Sequence, residues 1–146
     1  MNNNLNKAIG YCSRAEHCIE EVRKKLWDWS VPAEEHEEIL KRLVDENFIN
    51  EERYAHAYVN DKFRLSHWGR IRIKHMLHYK KIDAAIIDAA ISSIDEEEYI
   101  ELVKALVEKE KERIKVANER EKKEKLMLNL VNNRGFEANL VKEFIF

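Results

Sequence analysis

The sequence predicts an all-α protein made of short helices, and three observations carry that prediction. The 146 residues include three glycines and one proline, too few for the hairpins and tight loops of a sandwich or barrel. Apolar residues recur at intervals of three and four along nearly the whole chain, the period of a helix that buries one face. Residues able to accept orphan amide protons stand ahead of these periodic stretches, at Ser13, Asn50, Ser66, Asp83 and Asp95.

Taken in order, a first helix is expected over 4–11 and a second over 14–29. The second opens on Ser13-Arg14-Ala15-Glu16, the spacing of a capping box in which Glu16 reaches back to the Ser13 amide. Pro32 opens a third helix over 33–46, where Glu34, Glu35, Glu37 and Glu38 suit the helix dipole. Asn50 caps a fourth over 51–65, Ser66 a fifth over 67–80, Asp83 a sixth over 84–93 and Asp95 a seventh over 96–116. Asn118 breaks the chain into an eighth over 120–133, and a ninth follows over 137–145. The stretch 108–125 mixes both charges, with a thin apolar seam of Leu106, Val107, Ile114 and Ala117; it reads as a solvated helix held by i,i+4 pairs.

The nine helices sort into three sets of three. Leu26, Leu77 and Val131 are each followed five residues later by an apolar residue, namely Val31, Ile82 and Phe136. A helix with an apolar pair comes next: Ile39/Leu40, Ile86/Ile87 and Leu140/Val141. The separations, 51 and 54 residues, give three tandem units, expected at 1–49, 50–94 and 95–146. One such unit is too small for a secure core, so stacking is expected to complete it. The residues before the apolar follower are Ser30, Lys81 and Gly135, where a left-handed backbone would end the preceding helix. For Lys81 that conformation costs about 1 kcal/mol.

Composition excludes several classes of function. Gly10, Gly69 and Gly135 are isolated, so neither a phosphate-cradling loop nor a dinucleotide fingerprint is present. No G-x-S-x-G elbow occurs. His75 and His78 lack a third metal ligand nearby, and Cys12 and Cys18 read as small buried apolar residues. No catalytic residue, metal or cofactor is expected. The opening residues lack an apolar signal core and no stretch approaches a membrane span, so a cytoplasmic protein is expected.

One stretch points to a partner. Residues 62–82 hold seven Lys/Arg and no Asp/Glu, in a chain of 26 Lys/Arg against 28 Asp/Glu. A nearly neutral chain therefore concentrates its positive charge in one place, and phosphate or an acidic protein surface is the matching partner. On a helix over 67–80, Ile73, Leu77 and Met76 form the core side. Arg70, Lys74 and Lys81 then share a stripe if the register reaches Lys81, and Arg72 and Lys80 widen it. Lys62 and Arg64 join from the preceding helix. Phe63, Trp68 and Tyr79 read as core aromatics rather than base-stacking platforms. Seven like charges repel, which argues against a basic surface that serves no partner.

With Phe48-Ile49-Asn50-Glu51-Glu52-Arg53-Tyr54-Ala55, then Tyr58-Val59, Lys62-Phe63 and Gly69…Ile73…Leu77, the chain resembles the RecX family, bacterial regulators of the RecA recombinase. Ser13-Arg14-Ala15-Glu16…Leu26 resembles the family's opening motif and Arg134-Gly135-Phe136 its closing one. The resemblance implies an elongated, curved stack of three-helix repeats without catalytic residues. It implies a protein that lies in the groove of the RecA–DNA filament, blocks ATP turnover and strand exchange and favours filament loss, with weak DNA binding as in some members; a monomer is expected. Arg53, Lys62, Arg64, Gly69 and Lys80 match family positions, whereas Lys81 stands where many members have glycine. The expected contact residues are Lys62, Arg64, Arg70, Arg72, Lys74, Lys80 and Lys81. Arg53 is expected either there or tying helices together through an acid. A nucleic-acid binder acting without RecA, and a scaffold with no basic partner, are the competing readings.

Overall fold

The computed structural model describes residues 2–115 and 118–145, all helix and connecting turn. Helices α1 (Asn2–Arg14), α2 (Ile19–Asp28) and α3 (Ala33–Asp45) form a first unit. Helices α4 (Glu51–Arg64), α5 (Arg70–Tyr79) and α6 (Ala84–Ser92) form a second. The third has α7 (Glu96–Arg113), α8 (Glu119–Met127) running into a π-helical segment (Leu128–Asn133), and α9 (Ala138–Ile145). Ala117, assigned above to an apolar seam, and Val116, at the expected end of the seventh helix, lie outside the described residues. No described helix is long and apolar enough to cross a membrane.

Asn50, Asp83, Asp95 and Asn118 cap α4, α6, α7 and α8 through their side chains, as their positions predict. Two expected caps are elsewhere. Ser13 lies inside α1, where its hydroxyl donates to the Ile9 carbonyl, and Glu16 turns instead to Arg53. Helix α2 begins five residues later, with Cys18 as its N-cap and Glu21 accepting the Cys18 amide at 3.2 Å. Ser66 likewise precedes a turn, and Gly69 is the N-cap of α5.

The helix ends follow one design. Ser30 (φ 58°), Asn47 (φ 63°) and Lys81 (φ 61°) are left-handed. Each next residue bonds back across the turn: Val31 to Leu26, Phe48 to Leu43 and Ile82 to Leu77. These are Schellman closures, with an apolar residue sealed under the last turn. The third unit differs. Gly135 is left-handed at φ 82°, but the Phe136 amide reaches Leu130 rather than Val131. The π-helical segment absorbs one extra residue, so Leu130, 1% exposed, holds the position expected for Val131.

Stacking is unequal. The first unit has its own core, from Leu5 and Ala8 through Val22, Leu26 and Leu43 to Ile49. The second and third share one, in which Phe63, Tyr99 and Phe136 pack ring to ring with centroids 5.6–5.8 Å apart. Among the described buried residues, Cys18 alone crosses from the first unit into the shared core. The charged stretch 108–125 is not wholly solvated: Ile114 belongs to that core, as do Leu106, Val107 and Leu126 on its flanks, and Glu110 is buried beneath Arg113.

Candidate partner interface

The basic run spans the end of α4, the turn and all of α5, so the fold delivers its charges to both inter-unit joints. At the joint between the second and third units, the two units meet backbone to backbone. The Gly69 amide donates to Arg134 O at 2.7 Å and the Ile71 amide to Gly135 O at 3.1 Å. Carbonyls at the end of one helix thus satisfy orphan amides at the start of another. Arg134 closes the loop by donating to Ser66 O and His67 O.

Arg70 and Arg72 reinforce this joint. The Arg70 guanidinium lies 3.8 Å over the Tyr99 ring and 3.0 Å from Glu96. Its Nε is 2.9 Å from Glu137, an ion pair without hydrogen-bond alignment. The Arg70 amide donates to the Tyr99 hydroxyl, which donates to Glu137. Burial, with the Glu137 carboxylate next, pushes the Tyr99 phenol well above its ordinary range. Burial also works against the Arg70 charge, but Glu96 and Glu137 outweigh it and hold the guanidinium protonated. Arg72 donates to the Asn133 carbonyl at 2.7 Å and stacks on Trp68 at 3.8 Å. Lys62 covers the same indole at 4.8 Å, so Trp68 touches two cations.

The joint between the first and second units is polar. Lys80 pairs with Glu21 at 3.0 Å, and Tyr54 donates to the same carboxylate. Glu51 accepts the Ile19 amide at 3.1 Å. Arg53 pairs with Glu16 and donates to Asn47 O, so it ties the units together while remaining on the surface. Lys81 Nζ is 3.9 Å from Glu20. Burial drives the Glu21 carboxyl up, but Lys80, the Cys18 amide and His17 together bring it below the usual carboxylate range.

The expected stripe of Arg70, Lys74 and Lys81 does not form. Helix α5 ends at Tyr79, and the left-handed backbone at Lys81 breaks the register before that residue. Lys81 faces the first unit, Arg70 the third, and Lys74 lies between, 3.5 Å from Asp88. Phe63 is in the core as expected and Trp68 is half-buried, but Tyr79 is 82% exposed. Lys62 has no carboxylate partner among the described residues, and Arg64, Lys74 and Lys81 remain on the surface despite their ion pairs. Of the acids that meet this run, Glu96, Glu98 and Glu21 lie 26, 34 and 59 residues from their partners, so no local pattern announces them.

Comparison with known proteins bears on what this arrangement is. Residues 5–43 match the family model for RecX, first three-helix domain, and residues 50–91 the model for RecX, second three-helix domain. Regulatory protein RecX of Clostridioides difficile (strain 630) is 28% identical over 144 residues, covering 96% of this chain and 65% of that protein. Its counterpart in Lactococcus lactis subsp. lactis (strain IL1403) is 33% identical over 135 residues, covering 88% of this chain and 48% of that protein. The chain thus spans about half to two thirds the length of these relatives. The crystal structure of RecX from Lactobacillus salivarius superposes with a TM-score of 0.83 at 28% identity, covering 99% of this chain and 93% of that one. A second crystal structure, of regulatory protein RecX, superposes with a TM-score of 0.85 at 28% identity, covering 97% and 72%. Two family domains in tandem, on a fold shared over nearly the whole length, place this chain in the RecX family.

Proposed function

We propose that this chain is a non-catalytic, cytoplasmic regulator that binds the RecA nucleoprotein filament and inhibits its ATPase and strand-exchange activities, thereby modulating recombination and DNA repair. The observation that carries the reading is the tandem match to both RecX three-helix domains on a fold shared with RecX crystal structures. The division into units at 49/50 and 94/95 is part of the same proposal. So is a division of labour within the basic run. Arg53, Arg70, Arg72 and Lys80 hold the units in register, while Lys62, Arg64, Lys74 and Lys81 are placed to meet a partner. No cofactor is required for either role.

The test is RecA ATPase on single-stranded DNA with and without the full chain. Inhibition is expected; full ATPase at saturating protein would sink the reading. Replacing Lys62, Lys74 and Lys81 by Glu is expected to weaken inhibition with helicity retained, because Lys62 has no carboxylate partner among the described residues and the Lys74 and Lys81 pairs, at 3.5 and 3.9 Å, are exposed and weak. Direct nucleic-acid binding without RecA predicts a different pattern. Affinity for bare DNA would then fall steeply with salt, each lost lysine lowering the slope of log K against log salt by roughly one.

A further inference from the structure

We propose that the outward face of α5 is a docking surface for a protein partner presenting an apolar slot edged by carboxylates; this deepens the regulator reading above and rests on it. Helix α5 buries Ile73 and Leu77 against its own unit. The opposite side carries Ile71, 46% exposed, and Tyr79, 82% exposed, with His75 between them. Spacings of four align the three residues in a ridge about 12 Å long. Other large exposed apolar residues stand one to an element: Trp27 on α2, Val44 on α3, Leu65 after α4 and Leu128 in the π-helical segment. Among the described residues, only α5 presents two on one face. This also explains why a helix with a well-defined core side shows weak amphipathic character.

The edges of the ridge define what it would fit. No acidic residue occurs on α5, and Lys74 and His78 flank the ridge on the surface. At the Tyr79 end lies a cavity of about 440 Å³ lined by Glu20, Glu21, Lys24, Tyr79, Lys80 and Lys81. Its two carboxylates are engaged by Lys80 and Lys81, whereas Lys24 has no carboxylate partner among the described residues. Lys74 is 3.5 Å from Asp88, so four lysines (Lys24, Lys74, Lys80 and Lys81) face three carboxylates (Glu20, Glu21 and Asp88), and the rim is positive by one charge. An aliphatic side chain at one end and a tyrosine at the other, beside a rim with a positive excess at Lys24, match an apolar protein slot edged by carboxylates. Tyrosine anchors of this kind dominate interface energetics. Bare nucleic acid would use the cations and the Tyr79 ring but has no use for Ile71.

The experiment measures binding of the full chain to a RecA filament assembled on single-stranded DNA with a non-hydrolysable nucleotide, alongside binding to the same DNA alone. The variant Ile71→Ser/Tyr79→Ser removes the ridge, and both positions are exposed, so helicity and thermal midpoint should match the parent. Filament affinity is expected to fall about tenfold to hundredfold, the range for truncated anchors, with DNA affinity unchanged. Tyr79→Phe, which keeps the ring, should retain binding. A parent that binds the filament and a double variant that binds equally well would overturn the docking surface alone. An equal loss on bare DNA would make the face a nucleic-acid site and overturn the proposal. A parent that fails to bind the filament at all would overturn the regulator reading and this surface with it.

Discussion

At Gly135 the backbone is left-handed, and a Cβ there would fall 2.5 Å from the Arg72 backbone nitrogen. At Gly69 a Cβ would fall 2.5 Å from the Phe136 nitrogen. Neither neighbour is a flexible side-chain end, so neither can move aside without parting the second and third units. Gly135→Ala is therefore expected to destabilise by about 2–4 kcal/mol, from left-handed strain together with overpacking. Gly10 gives the opposite sign. It lies inside α1, and a Cβ there would meet nothing within 4 Å, so Gly10→Ala should stabilise by about 0.5–1 kcal/mol through backbone entropy. Urea midpoints of the two variants check both signs. Isolated glycines exclude phosphate loops when read from sequence, but they do not reveal which of them lie at a close approach. That depends on neighbours 66 and 67 residues away for Gly69 (Gly135 and Phe136) and 63 residues away for Gly135 (Arg72). Lys81 was partly legible. Its place before an apolar residue leaves the turn open between a left-handed cap and another geometry, and φ 61° makes it left-handed even though the residue is not glycine.

At the scale of elements, helix number and order are legible because the three-four period runs through the chain and Asn or Asp caps mark four helix starts, at α4, α6, α7 and α8. The exceptions have physical causes. Ser13 and Glu16 have capping-box spacing, but the same spacing recurs at Cys18 and Glu21, and only the latter leaves Glu16 free to meet Arg53 across a joint. The π-helical segment was hidden because Leu130 and Val131 are both apolar, so the pattern reads equally well in either register. Its extra residue makes the span from Leu130 to Phe136 six residues instead of five. Deleting exposed Asn132 is expected to turn the segment into regular α-helix, restore the five-residue closure of the other units and leave a folded protein. Deleting Lys125, within the regular part of α8, instead rotates the α8 residues N-terminal to it by about 100° relative to Leu126 and Leu130. It should cost most of the third unit's stability. Far-UV circular dichroism with thermal melting separates the two outcomes. Equal damage from both deletions would show that the π-helical segment is required for the fold rather than an accommodated insertion. The basic run was legible as a concentration of charge but not as a set of joints, because its ion-pair partners, Asp88 apart, come from other units.

For the molecule as a whole, the two joints differ in kind, and that difference predicts how the chain comes apart. The second and third units share an apolar core, so they should unfold together. The first unit has its own core and meets its neighbour mainly through Glu16, Glu20, Glu21 and Glu51 facing Arg53, Lys81, Lys80 and the Ile19 amide. Glu21 titrates below its ordinary value, so its contribution is present above about pH 4.5 and is lost as pH falls through the lower folded value. For Lys80, burial lowers the ammonium pKa but Glu21 more than restores it, so its contribution is present below about pH 10.5 and is lost as pH rises through the raised folded value. Glu51 opposes the acid trend: burial raises its carboxyl, so protonation there favours the folded form and offsets part of the loss. Coupling between the first unit and the rest should therefore be strongest from about pH 5 to 10. The tryptophans report each side separately, since Trp27 and Trp29 lie in the first unit and Trp68 in the second. Trp68→Phe leaves fluorescence from the first unit, and Trp27→Phe/Trp29→Phe leaves it from the second. At pH 7 the two urea transitions should nearly coincide. Adding Glu21→Gln at pH 7 removes the Lys80 pair without changing other carboxylates, at a cost of about 1–2 kcal/mol. It should pull the transitions apart, as should lowering the pH below 4. Coincident transitions in both cases would mean that Cys18, crossing into the shared core, couples the units more strongly than the charges do.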